Sequence, residues 1–224
     1  MGAVLDLFKV LYEPGAVFTR VSEKPKFLMP FIGLCVIQLI VAVVNMPYLK
    51  AALAAQFAAQ AATAPAGAPD PSKFAAIGLV FIPIGVVIAL LISALVLWVL
   101  VSIMGGDGKF GTLLSVSAYA CVPSVVLLAI VGVIVLRMKG LEGISSPSDL
   151  QPALWLDLLA PDAKGFVGGV LKGINPFAIW GMVLTAIGIQ VTHKTSKGTA
   201  YTVAIGAMVL GLIVIGAFSM LRKG

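Results

Sequence analysis

A single histidine, His193, sits in the run Val191-Thr192-His193-Lys194-Thr195-Ser196-Lys197, among hydroxyl side chains and lysines. Nucleophilic catalysis uses such a pairing: the imidazole accepts the hydroxyl proton while a further group holds the ring. The serine lies on a short loop, however, and no G-x-S-x-G elbow occurs to present it. The stretch Gly105-Gly106-Asp107-Gly108-Lys109-Phe110-Gly111 has the glycines of a phosphate loop but lacks the G-x-x-x-x-G-K-[ST] spacing and follows no strand. It is expected to be a tight turn. Cys35 and Cys121 fall inside apolar runs with no histidine or acid nearby. That suits neither a metal site nor a disulfide framework, and leaves them as small packing residues. Intramembrane proteolysis would want paired aspartates or H-E-x-x-H within a span, and neither is present. The expectation is a protein that is not an enzyme and carries no cofactor and no metal.

The elements that hold these residues are membrane spans. Of 224 residues 60% are hydrophobic and 11% charged, with mean hydropathy +1.11, against about 25% charged in ordinary soluble domains. Five apolar runs cover residues 27–49, 74–104, 113–136, 176–191 and 200–221. A spanning helix needs about 20 apolar residues at 1.5 Å each. The second run is long enough to force tilt, kinking or projection into the interface, and the fourth is short. Backbone groups in hydrocarbon need internal partners, and the runs lack strand alternation, so helices are the spanning elements. The predicted fold is all-α: a polytopic bundle of five transmembrane helices, residues 27–224, behind a short N-terminal interfacial segment, residues 1–26. Asp6, Glu13 and Glu23 interrupt that segment, so the first span is expected to act as an uncleaved insertion signal. MGAVLD also fails the myristoylation pattern, with Asp6 where a hydroxyl is needed.

The net charge of +6 sits at membrane edges, which fits lipid headgroups and argues against nucleic acid. A raw count of basic residues on the two sides does not decide orientation. Short loops and the first span weigh most, and Arg20, Lys24 and Lys26 stand just ahead of that span, while the connections holding Lys109 and Lys194 are basic for their length. The expected threading is N-terminus cytoplasmic and C-terminus external.

Residues 3–12 place Val4, Leu7, Phe8 and Leu11 on one helical face, and Glu13-Pro14-Gly15 is expected to break that helix. Residues 51–72 pass from an alanine-rich half, which can extend a helix, to a proline-rich linker. The loop 139–175 contains apolar segments too short to span, expected at the interface with Trp155 and Phe166 at headgroup level. No ionisable residue lies in the core of any span, which counts against proton-coupled transport. Small residues recur instead: Gly85, Ala89 and Ser93; Gly181, Thr185, Gly188 and Thr192; Ala207 and Gly211. Such stripes let helices approach closely. Pro83 and Pro123 are expected to kink the second and third spans.

Three stretches stand in a particular order: YEPGAVFTRVSEKPKFLMP before and into the first span, SAYACVPSVVL in the third, and NPFAIWGMVLTAIGIQVTHKTSKGTA across the fourth. With five spans, this order resembles the Yip-domain family, five-span membrane proteins named for interaction with Ypt/Rab GTPases, and especially its shorter prokaryotic members. The resemblance runs over nearly the whole chain. The residues that match its pattern are Pro14 and Phe18, Tyr119 and Pro123, then Asn175, Pro176, Trp180, Gly188, His193, Ser196, Gly198 and Ala200. Glu13-Pro14-Gly15 stands where eukaryotic members carry Asp-Leu-x-Gly-Pro, which sets Rab binding and Golgi trafficking aside in favour of a prokaryotic plasma (inner) membrane.

The function this implies is a non-enzymatic membrane scaffold or adaptor working through membrane lipids or an unknown protein partner, with homo-oligomerisation left open. Its contact residues would be a basic rim of Arg20, Lys24, Lys26, His193, Lys194 and Lys197, each cation worth about 1 kcal/mol near a charged leaflet. The alternative is a small transporter or channel along the kinked second and third spans, lined by Ser115, Ser117, Tyr119, Gln38 and Gln190.

Overall fold

A computed structural model describes residues 2–60, 75–151 and 155–221, and these are helical with irregular connections. The proline-rich part of the expected linker, residues 61–72, and the terminal cations Arg222 and Lys223 lie outside the described residues.

Two short helices precede the first span: α1 (Gly2–Lys9) and α2 (Pro14–Glu23). The second corrects the sequence expectation. The first helix has already ended at Lys9, and Pro14 occupies the first turn of the next, where its missing N–H is no loss and its fixed φ suits the start. The expected apolar face of α1 divides as well. Leu7 is 1% exposed and Leu11 packs beside it on the core, whereas Val4 and Phe8 point outward.

The first apolar run forms α3 (Leu28–Val44), then bends by 60° at Asn45 into α4 (Met46–Gln60). Pro47 explains the bend: it has no N–H for the carbonyl of Val43, and it crowds the residue before it. Arg137 supplies a donor at the break, Nη2 reaching the carbonyl oxygen of Val44 at 3.1 Å, with its guanidinium 5.5 Å above the Tyr48 ring.

The second run forms α5 (Gly78–Ile103), a continuous helix through Pro83. The third forms α6 (Phe110–Ala120) and α7 (Leu128–Lys139), joined by a wide π turn at Pro123–Leu127. A π turn absorbs the donor that a mid-helix proline removes. In the loop that follows, α8 (Gly165–Gly173) packs along the last helix, α10 (Lys197–Leu221), and α9 (Pro176–His193) lies beside both α2 and α10. Among the described residues four helices are long and apolar enough to cross a membrane, or five when the bent α3–α4 pair counts as one span.

Burial follows the same logic. One core joins α1 and α2 to α3, α6 and α9 through Leu7, Val17, Phe18, Leu34, Val116 and Leu184. A second, built on Leu97, Leu113, Ile189 and Val203, joins α5, α6, α9 and α10. Outward-facing Val80, Phe81, Ile88 and Ile92 on α5, with Val209, Ile213 and Phe218 on α10, are exposed apolar surface that hydrocarbon would cover. The chain is a polytopic helical membrane protein.

Candidate interaction face

At the end of the bundle that carries the N-terminus, two short turns meet. The turn between α5 and α6 is shaped by Gly105, whose φ of 77° suits only glycine well, and by Trp98, whose indole Nε1–H donates to the Gly108 carbonyl at 3.0 Å. His193, the last residue of α9, fastens this turn from the other side. Its Nε2 accepts the backbone N–H of Lys109 at 3.3 Å, and its Nδ1 pairs with the Thr192 hydroxyl at 2.7 Å. An Nε2 that accepts must be unprotonated, which places the ring proton on Nδ1. The Thr192 hydroxyl takes that proton's hydrogen bond and donates onward to the Gly188 carbonyl at 2.7 Å. Both ring nitrogens are thus occupied in structure. Ser196 has a capping role: its Oγ accepts the N–H of Thr199 at 3.1 Å at the start of α10. Between them Lys194 adopts a left-handed conformation, φ 51° and ψ 34°.

The N-terminal pair is bolted to the same end. A Cβ at Gly188 would stand 2.6 Å from Val116 Cγ1 and 3.1 Å from Phe18 Cε1 and Cζ, so the ring of Phe18 fills the space that a side chain on α9 would need. Arg20 forms a forked pair with Asp6, Nη2 to Oδ1 at 2.6 Å and Nε to Oδ2 at 3.2 Å, tying α2 to α1. The forked hydrogen bond to Asp6 raises the Arg20 pKa above its ordinary value.

The motif residues therefore do not form one site. Pro14, Phe18, Gly188, His193, Ser196 and Ala200 gather toward this end, with Ala200 fully buried. Tyr119 and Pro123 are buried inside the bundle. Asn175 and Pro176 lie at the opposite end, where Asn175 Oδ1 caps α9 by accepting the Ala178 N–H at 2.9 Å, and Trp180 packs half-buried on the core one turn further in. Gly198 has open space: a Cβ there would meet only Ser196 Oγ at 3.8 Å. Nothing in the structure requires glycine at that position.

The basic rim divides too. Lys24, Lys26, Lys194 and Lys197 are exposed, Lys197 lying 5.9 Å above the Tyr201 ring, while Arg20 is paired with Asp6 and His193 is turned inward to Lys109. Sequence reasoning missed Asp6 and the backbone of Lys109 as partners. No spacing rule could have found them, since 14 and 84 residues separate the members of the two pairs.

The polar residues nominated for a path do not share one either. Ser117, with Ser93, Ser124 and Thr185, lines a cavity of about 220 Å³ among α5, α6, α9 and α10. Ser115 spends its hydroxyl on the Gly111 carbonyl of its own helix. Gln38 belongs to a different cleft at the opposite end. Among the described residues no group of three or more His, Cys, Asp or Glu side chains could hold a metal ion.

Comparison with known proteins supplies the context for this geometry. The Yip1 domain family model matches residues 8–218. A membrane protein of Bacillus subtilis (strain 168), YknW, is 26% identical over 215 residues, covering 94% of this chain and 87% of the relative. No solved structure matches.

Proposed function

The chain belongs to the Yip1 domain family, and from that premise we propose that it is a non-enzymatic scaffold or adaptor. It would act in a prokaryotic plasma membrane, with the N-terminal end of the bundle facing the cytoplasm. One observation carries the reading: α1 and α2 are fixed rigidly to the bundle through Leu7 and Phe18, yet leave Val4, Leu5, Phe8 and Tyr12 exposed. A short amphipathic pair held this way offers an apolar strip, with Lys24 and Lys26 following it in the chain, and such a surface suits a partner helix or an anionic leaflet. Engagement of both His193 ring nitrogens in structural hydrogen bonds supports the non-enzymatic part.

A photo-crosslinking residue placed at Phe8 in native membranes tests the reading. A discrete adduct that weakens when Lys24, Lys26, Lys194 and Lys197 are all replaced by Gln supports it; adduct formation indifferent to those charges and to the apolar strip overturns it. Reporter fusions to both ends test the threading. The alternative, a small transporter, draws support from the cavity beside Ser117, whose Oγ is buried with no hydrogen-bond partner. Saturable solute uptake by liposomes containing the protein would favour it.

A further inference from the structure

A cleft of about 550 Å³ lies at the end opposite the proposed interaction face, between α3 and α7 and beside Leu150, Gln151, Trp155 and Asp157. That is within the range of about 300–1,000 Å³ typical of ligand sites. Its walls differ in character. One side is apolar helix surface, Val125, Leu128 and Ala129 around Gly132. The other gathers Asn45, Gln151, Asp157, Lys172 and Asn175. Asp157 is only 8% exposed and takes the Trp155 N–H at 2.9 Å; Lys172 is exposed at the rim. Asn45 Oδ1, at the bend between α3 and α4, is buried without a hydrogen-bond partner. A buried acceptor left unmatched is unfavourable, so the wall is short of a donor.

A second pocket, about 340 Å³, shares Gln38 and Val41 with this cleft and continues between α3 and α5 along Ala42, Ile82 and Val86. It opens at exposed Gly85, on helices that cross the membrane, and therefore into hydrocarbon. Polar space at the membrane edge, adjoining apolar space open to the bilayer across Gln38 and Val41, matches an amphiphile entering from the side.

We propose that this cleft binds a bilayer phospholipid bearing a primary-amine headgroup. Lys172 meets the phosphate at the rim. The ammonium faces the carboxylate wall of Asp157 and donates to Asn45 Oδ1, which a quaternary amine cannot do because it has no N–H. The upper acyl chain follows Gln38 and Val41 toward Gly85. A purely anionic headgroup answers Lys172 alone and meets Asp157 with like charge.

The full-length protein in detergent, titrated with an equimolar mixture of ethanolamine, choline and glycerol phospholipids and read by native mass spectrometry, tests this. Wild type is expected to retain one ethanolamine lipid in preference to the other two. Gly132→Leu and Gly85→Leu add bulk at the lining of the cleft and of the pocket, where a Cβ at either glycine meets nothing within 4 Å. Each should remove the adduct while thermal stability is kept. Lys172→Gln should weaken retention about tenfold, the loss of one charge-assisted hydrogen bond. Equal retention of all three lipids by wild type, or an ethanolamine adduct unchanged in both glycine variants, overturns the proposal.

Discussion

His193 Nε2 holds the backbone N–H of Lys109 at 3.3 Å, so the last residue of α9 anchors the turn between α5 and α6. Replacing His193 by Ala should free that amide. A neutral hydrogen bond contributes about 1 kcal/mol, and the expected result is roughly fivefold faster hydrogen exchange at Lys109. Thr192→Val, which cuts the relay to Gly188, should give a smaller increase. Acidification that protonates Nε2 removes the acceptor and should reproduce the His193→Ala behaviour in wild type but add nothing in the variant.

Gly188 has its own test. Adding a methyl there crowds Val116 and Phe18, and overpacking of this kind costs about 1–3 kcal/mol. Gly188→Ala should lower the thermal midpoint in detergent, and Val116→Ala should restore part of it. Loss that is strictly additive in the double variant would deny the contact.

The pair between Arg20 and Asp6 is partly exposed, with Arg20 at 46% side-chain exposure. Screening limits such pairs to about 0.2–1 kcal/mol. A double-mutant cycle with Arg20→Gln and Asp6→Asn, read by proteolysis of the N-terminal helix, should show coupling in that range. The coupling should shrink in high salt.

Lys194 carries a Cβ in a left-handed conformation at the end of α9, where glycine is favoured. Lys194→Gly should raise stability by about 1 kcal/mol, whereas Lys194→Gln should leave it unchanged. Thermal unfolding of the two variants separates backbone strain from charge.

Asp149 stabilises the loop after α7. It accepts from Lys139 Nζ, from the Ser145 N–H and hydroxyl, and from Ser146, and these donors, Lys139 foremost, hold its carboxyl well below the usual carboxylate range. Its contribution is then fully present above about pH 4, the unfolded value, and is lost as pH falls from there toward the depressed one. Asp149→Asn should cost about 1 kcal/mol after solvent screening. The gap between variant and wild-type thermal midpoints should stay constant from neutral pH to about pH 5 and close below about pH 4.

Much of this architecture was written locally. Hydropathy over residues 74–104 and 200–221 is enough to mark spanning helices, because every backbone group in hydrocarbon must be satisfied within its own segment. The caps at Asn175 on α9 and Ser196 on α10 are local too, each joining residues three apart. The proline at position 123 announced a break in the third span, though not that a π turn would carry it.

Other features needed the folded chain. Pro14 looks the same in sequence whether it ends a helix or begins one; packing of Phe18 into the space beside Gly188 decided for α2. Helices that are apolar all round give no sign of which side faces a neighbour, so the cleft under Asn45 and the pocket at Gly85 were invisible until α3, α5 and α7 were placed. The sequence by itself determined where the chain crosses and where it turns, because those depend on neighbouring residues. Only tertiary structure decided that Arg20 belongs to Asp6 and His193 to Lys109, because such pairing is a property of distances between helices, to which spacing along the chain is blind.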